Sequence, residues 1–565
     1  MKVINLFVVF MTAFVLVACG GGSGGSSTVT PPPITSSNAA TGSSAPVASA
    51  NTATTPSATQ VNLSGKITFD NVPHDSQNFG LDYAATTQMP ARGIMVALLN
   101  ADNETIDQAI TDQNGDYDFT VEPSLDVKIH VLAQLKSPAG RDWDVKVTDN
   151  TSDNALYVLA GSLSTSGTSA SQTRNLNAPS GWGGTSYDSE RAAAPFAILN
   201  SVYDAIKTID AVDANASFPE LEIRWSPNNR AVVGDRSQGH IGTSAFFRDE
   251  NVIYLLGEAG RDTDEYDPHV IIHEWGHYFE ENLSRLDSMA GLHSLSAKLD
   301  PRLAFSEGWC NALAAIVTND PNYKDSSGLS QNSGFKIDFE NLNRSNKGWF
   351  NESSVTSIIY DVFDAASDGS DRITGGFLPI YNAVTNDEFR KGDAFTTIFS
   401  FSEALLNQNI IDVNDYRFLL EDQSISASNA LGTGENNNGS IASSLPVYKE
   451  AIVGGDAVQV CSVDDAGNFN RLGNRELVVF DIPQNGSYMV SMSLVSGGQD
   501  RDPDFNLWQQ GERVLESSSS TQGEEVYSGT LSAGRYIAET YDFFNINGNS
   551  NRRGDGCFNF QVIAG

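Results

Sequence analysis

Histidine is scarce in these 565 residues: there are 7, and none follows His293. Cysteine is scarcer, with 4. Any metal or thiol chemistry must therefore rest on very few positions. Basic residues are also short, with 34 Lys and Arg against 70 Asp and Glu, a formal charge of -36. A surface of that sign repels phosphate, which argues against nucleic acid as a partner and serves solubility. Beyond the N-terminus no apolar run is long enough to span a bilayer as a helix. Residues 20–60 contain no charged residue and consist largely of Gly, Ser, Thr, Ala, Pro and Asn. Such a stretch has too little apolar content to fold and reads as a disordered tether. The chain as a whole is 40% hydrophobic, enough for cores, and its length predicts roughly three or four domains.

The first residues read as an export signal. Lys2 supplies a positive start, and Leu6 to Val17 is apolar except for Thr12. The run ends in Leu16-Val17-Ala18-Cys19-Gly20, which resembles the lipobox of bacterial lipoproteins, in which the cysteine is lipidated and becomes the mature N-terminus. The resemblance implies an exported bacterial protein anchored to a membrane by a lipid on Cys19. Gly20 stands where an aspartate often accompanies inner-membrane retention, so the outer membrane or cell surface is expected. Cys461 and Cys557 bracket the last segment and meet an oxidising compartment, so they are expected to pair. Cys310 is left over and reads as a buried small hydrophobe.

Alternation begins at Val61. Val61, Leu63, Ile67 and Phe69 share one strand face, as do Val127, Ile129, Val131, Ala133 and Leu135, and then Trp143, Val145 and Val147. An Asn114-Gly115 turn leads into Tyr117 and Phe119. Residues 61–161 thus predict a β-sandwich, and they resemble the carboxypeptidase regulatory-like modules. His130 faces away from the apolar side and reads as a surface histidine. Residues 162–191, rich in Ser, Gly and Asn, read as a connector. Phe196, Leu199, Val202, Tyr203 and Ile206 then fall at helical spacing, Leu221, Ile223 and Trp225 alternate, and Val252 to Leu256 is a short apolar strand, expected to offer an open sheet edge to which an extended chain can add. From Asp267 to about 455 the pattern is mostly helical. The tail returns to strands, with Tyr488, Val490, Met492 and Leu494 alternating. Together with Asp502-Pro503-Asp504-Phe505-Asn506-Leu507 and Ala533-Gly534-Arg535-Tyr536, residues 456–565 resemble the bacterial pre-peptidase C-terminal domain, a small β-sandwich appended to secreted peptidases.

The chemistry concentrates in His273-Glu274-Trp275-Gly276-His277. Histidines four apart share one helical face, and both imidazoles can reach one zinc ion. Glu274 is displaced enough to face water at the metal, as a general base does. Asp267 and Pro268 mark the helix start as N-cap and first helical residue. A third ligand is needed, and Glu307 offers one at the start of a second helix in Ala304-Phe305-Ser306-Glu307-Gly308-Trp309-Cys310-Asn311. Asn311, one turn on, can hydrogen-bond a ligating histidine.

HExxH with a later glutamate is the gluzincin pattern, and Glu307-Gly308-Trp309 with Asn311 resembles the corresponding segment of fungalysin-type, thermolysin-like peptidases. The resemblance implies a central α+β metallopeptidase domain over 192–455, with zinc on His273, His277 and Glu307, and Glu274 as base. It implies protein or peptide substrates. Asn311 falls where the family usually has aspartate. The family also uses a histidine downstream of the glutamate ligand to bind the oxyanion, and this chain has none. Tyr360 is a candidate for that role. His269 is another by position, although it reads first as a helix-start residue. Asp368, Asp371, Asp464, Asp465, Asp500, Asp502 and Asp504 form acidic loop clusters. They leave calcium open as a second ion, with solvated loops as the simpler reading. The competing function is a catalytically inactive, lipid-anchored binding or adhesion protein with a structural zinc site. The intact Glu274 counts against it, since a structural zinc needs no base.

Overall fold

The computed structural model describes residues 59–565 except 138–142, 343–344, 366–370, 468 and 549, together with the pair Ala40–Thr41. The export segment, Cys19, Asp368 and nearly all of the tether lie outside the described residues. Within the tether, Ala40–Thr41 pairs in parallel with Leu159–Ala160.

The alternating segments form the expected strands. β1 (Val61–Asn71) buries Val61, Leu63, Gly65, Ile67 and Phe69 on one face and leaves Asn62, Ser64, Lys66 and Thr68 exposed or half-buried on the other. β2 (Ile94–Asn100) pairs antiparallel with β3 (Asp126–Lys136), and β3 pairs with β4 (Asp144–Asp149). The sheet of β1 packs on the sheet of β2 and β3 through one shared apolar core. The second sheet does not stop at residue 161, however. β4 pairs in parallel with β5 (Leu221–Trp225), which pairs in parallel with β7 (Val252–Leu255), and β6 (Ala245–Phe247) closes that edge antiparallel to β7. Helix α1 (Ala194–Val212) makes the crossover from β4 to β5, as parallel pairing requires. The expected N-terminal sandwich is therefore continuous with the central region rather than a separate unit. The connector also joins the sheets: Ser171–Thr173 and Leu176–Ala178 pair with β1. Ser171–Thr173 is wholly polar and Leu176–Ala178 is only three residues long, so neither stood out as a run of apolar alternation. Val252–Leu255, expected to offer an open edge, lies inside the sheet, and the edge strand is β6.

The central region is helical but interrupted. α2 (Pro268–Leu283) packs against α3 (Pro301–Thr318), and α3 against α4 (Glu352–Phe363). A hairpin of β8 (Asn322–Ser327) and β9 (Ser333–Asp338) lies between α3 and α4. Two glycines set how closely the three helices approach. A Cβ at Gly276 would lie 2.9 Å from Cys310 Sγ, and one at Gly308 would lie 2.5 Å from Val355 Cβ and 2.8 Å from the Glu352 carbonyl oxygen. No helix among the described residues is long and apolar enough to cross a membrane.

The tail is a β-sandwich with its own core around Val478, Phe480, Val490, Phe505 and Phe560. One sheet has five strands and the other four. Its first strand is Tyr448–Glu450, slightly before the expected boundary. Cys461 and Cys557 face each other on paired strands and form a disulfide. The sandwich docks on the central region through a buried charge network in which Arg302 of α3 donates to Glu539 at 2.8 Å.

Candidate metal centre

α2 carries His273 and His277 one turn apart, their ring centroids 5.1 Å from each other. Both are buried, as are Glu274 and Glu307. Because α3 approaches α2 over Gly276, Glu307 reaches both imidazoles. Its Oε2 lies 3.2 Å from His273 Nε2 and 3.5 Å from His277 Nε2. Ligand atoms of His273, His277 and Glu307 all lie within 4.8 Å of one another. Two imidazoles and a carboxylate are the donor types zinc takes in a three-ligand site. The buried Nε2 of His277 finds no hydrogen-bond partner among the described residues. An orphaned, buried nitrogen facing a carboxylate is what a cation between them would satisfy, so the residues present fit zinc.

The outer nitrogens of the two rings are held. His273 Nδ1 lies 3.0 Å from Asn311 Oδ1, and His277 Nδ1 lies 3.3 Å from Glu280 Oε2. Holding Nδ1 on an oxygen leaves Nε2 free to face a metal. Ser306 Oγ donates to the same Glu280 oxygen at 2.6 Å. Cys310 is buried and free, as expected, yet it is not merely space-filling: its Sγ lies 3.3 Å from His277 Nδ1.

Glu274 points from α2 toward the sheet edge, where its Oε2 accepts the Phe246 N–H at 2.8 Å. Burial raises its pKa above the ordinary 4.5, outweighing the opposing effect of His273 and His277, and Glu307 adds to the rise. Glu307 moves the other way. Burial would raise it, but His293 and His277 beside it hold it well below the usual carboxylate range. A cleft of about 430 Å³ opens onto this group, lined among others by Phe246, Phe247, His277, Ser306 and Glu307.

The remaining candidates lie elsewhere. Tyr360 is not drawn into the group. It is two turns beyond Glu352 on α4, about 12 Å along the helix axis, and its ring packs against Phe363. His269 is a buried helix-start residue, its Nε2 3.1 Å from both Thr318 Oγ1 and the Asp320 carbonyl oxygen. Asp267 occupies the N-cap position of α2, but its side chain makes no cap bond and instead accepts from the Ser326 N–H and Oγ. Of the acidic loop clusters, Asp371, Asp502 and Asp504 are buried rather than solvated. Among the described residues none of these clusters forms a close acid group. The one that does is Asp262, Asp264 and Asp325, in which the third member joins a local pair from about sixty residues away, so the group of three has no sequence signal.

Sequence reasoning also missed Glu280, Glu352 and His293. Glu280 was legible, since it falls three residues after His277 on the same helical face. Glu352 and His293 had no local signal. His293 Nε2 lies 3.3 Å from Glu307 Oε2, and its Nδ1 lies 2.7 Å from Glu352 Oε2.

Residues 213–399, about a third of the chain, match the family described as the Mycolysin C-terminal domain. His273, Glu274, His277, His293, Glu307 and Glu352 all fall within that span. No curated protein matches the chain. Among solved structures, part of the chain is similar to the pre-peptidase C-terminal domain of a collagenase from Bacillus anthracis, at 11% identity over 20% of this chain and 93% of that one, with a TM-score of 0.15. Another is a putative carbohydrate binding protein from Pseudomonas aeruginosa, at 15% identity over 22% of this chain and 92% of that one, with a TM-score of 0.13. The major plantain pollen allergen Pla l 1 is 22% identical over 21% of this chain and 90% of that one, with a TM-score of 0.14.

Proposed function

We propose that this chain is a zinc-dependent peptidase that hydrolyses peptide bonds of extracellular or periplasmic proteins. One observation carries the reading: a buried His273, His277 and Glu307 converge beside a buried Glu274, in a span that matches a Mycolysin-family domain. His273, His277 and Glu307 hold the metal. Zinc, when bound, supplies a Lewis acid for the scissile carbonyl and makes water acidic enough to lose a proton near neutral pH.

The protein's residues do the rest. Asn311 and Glu280 fix the rotation of the two imidazoles. Glu274, beside the cleft, takes a proton from the attacking water and passes it to the leaving amine. Its bond to the Phe246 N–H aims one carboxylate oxygen and leaves the other for that proton. β6 forms the sheet edge along the cleft, where an extended peptide can add as a strand. Cys19 is the proposed lipid anchor that holds the enzyme at the bacterial outer membrane or cell surface. Casein hydrolysis by the purified protein, with and without a zinc chelator, tests the reading. Cleavage that the chelator abolishes and zinc restores is expected. A zinc-loaded protein that cleaves neither casein nor a peptide library is instead the binding protein of the competing reading.

A further inference from the structure

His293 lies on the segment between α2 and α3, which has no helix or regular strand. It is nevertheless among the most buried side chains in the molecule, at 1% exposure. Its Nδ1 lies 2.7 Å from Glu352 Oε2 at the start of α4, and its Nε2 lies 3.3 Å from Glu307 Oε2 on α3 without a hydrogen bond among the described residues. A segment without secondary structure needs outside support to hold a side chain in place. Part of it comes from the start of α4, where Ser353 Oγ donates to the Leu295 carbonyl oxygen at 2.9 Å and Asn351 Nδ2 to the same oxygen at 3.0 Å. The rest comes from the C-terminal sandwich. Asn470, fully buried, donates through Nδ2 to the carbonyl oxygens of Ala290 at 3.1 Å and Leu292 at 3.0 Å. Arg471 Nη1 donates to the same Leu292 oxygen at 2.6 Å. Gly291 between them takes a φ of +99°, and a Cβ there would lie 2.6 Å from the Phe469 ring. The Asp300 N–H, at the entry to α3, donates to the Asn470 carbonyl at 3.0 Å. The sandwich thus grips the segment on both sides of His293.

We propose that His293 is a positioning residue of the metal site, steadying the Glu307 carboxylate, and that the sandwich sets it there through Asn470 and Arg471. On this view the tail is a working part of the metal site and not an appended module. The inference rests on the zinc reading above. The Nε2 atoms of His273, His277 and His293 lie 3.2, 3.5 and 3.3 Å from the same Glu307 oxygen, Oε2, so all three rings crowd the one carboxylate. Glu352 fixes the His293 ring through Nδ1, as Glu280 fixes His277. Supporting groups of this kind typically change metal affinity by about 10–100-fold when removed.

The test uses full-length parent, His293→Ala, His293→Gln and Asn470→Asp proteins, stripped of metal. Each is titrated with zinc against a competing chelator, and its cobalt-substituted form is scanned in the visible. His293→Ala should weaken zinc binding by about 10–100-fold and shift the cobalt bands. His293→Gln, which keeps a polar group able to face Glu307, should recover part of the affinity. Asn470→Asp cannot donate to the two carbonyls and should move in the same direction as His293→Ala. Arg535→Ala, which removes an exposed pair with Asp481 on the sandwich, should leave both readouts unchanged. Circular dichroism and the intact disulfide report folding, and if the alanine protein does not fold, His293→Gln and Asn470→Asp decide. A folded His293→Ala with parental affinity and spectrum overturns the role of His293. A loss there with none in Asn470→Asp overturns the role of the sandwich. A parent that binds zinc but cleaves no peptide refutes the peptidase reading while leaving these affinities meaningful; a parent that binds no zinc overturns both.

Discussion

Replacing Glu274 by glutamine removes a proton acceptor and little else. The side chain is 4% exposed, so bulk water cannot take over its role. The amide oxygen can still accept the Phe246 N–H, now 2.8 Å from the carboxylate, and the volume is unchanged, so no cavity opens. Stability should not fall. Burial makes this carboxyl harder to ionise in the folded protein than in the unfolded chain. Such a group costs stability above its ordinary pKa, and a neutral amide avoids that cost at pH 7. The loss should therefore lie in the chemical step alone, at about 10²–10⁴-fold in kcat, or about 3–5 kcal/mol. Peptide hydrolysis, zinc content and melting temperature are measured together on both proteins. The pH profile adds a second reading. The base form exists above the raised pKa, so parental activity should fall with acid through a midpoint above 4.5, and that limb should vanish from the residual activity of Glu274→Gln. Parental activity in a zinc-loaded Glu274→Gln protein would refute the assignment of the base.

Other expectations follow from the same geometry. Glu307→Gln should lose zinc before it loses fold, since a neutral amide is a poorer ligand than a carboxylate, and His277→Ala should lose most of its zinc; metal analysis checks both. Gly276→Ala places a Cβ 2.9 Å from Cys310 Sγ, and the resulting overpacking between α2 and α3 should cost about 1–3 kcal/mol in denaturant unfolding. Reducing Cys461–Cys557, which closes a span of 96 residues, should destabilise the sandwich by roughly 2–5 kcal/mol, read as a lower melting temperature. Acid should loosen the docking of the sandwich. Burial opposes ionisation of Glu539, but Arg302 and Arg475 override it and hold its pKa at about 2, so this contribution is full above pH 4.5 and is lost as pH falls toward 2. Limited proteolysis across that range reports it.

The local parts of this protein were legible in its sequence. A histidine pair four apart, a glutamate opening a second helix and an asparagine one turn later each have helical spacing, and spacing survives folding. Alternation at Val61 to Phe69 and at Tyr488 to Met492 likewise becomes buried strand faces. What could not be read depends on which distant segments meet. The pairing of β4 with β5 spans a Ser- and Gly-rich connector that looks like a domain boundary. The open edge fell to β6 rather than β7, since edge and interior strands of three or four residues share one apolar pattern. His293 is placed by Asn470 and Arg471, about 180 residues away, and no local pattern announces it. Tyr360 was favoured by its position after Glu307, but the rise of α4 carries it away from the metal group.

Stepwise return of zinc to the metal-free protein, followed by peptide hydrolysis at each addition, distinguishes a catalytic metal from a structural one. Activity should rise linearly and stop at one zinc per chain. Zinc that binds at one per chain while hydrolysis stays at the metal-free level would contradict a catalytic role for the site.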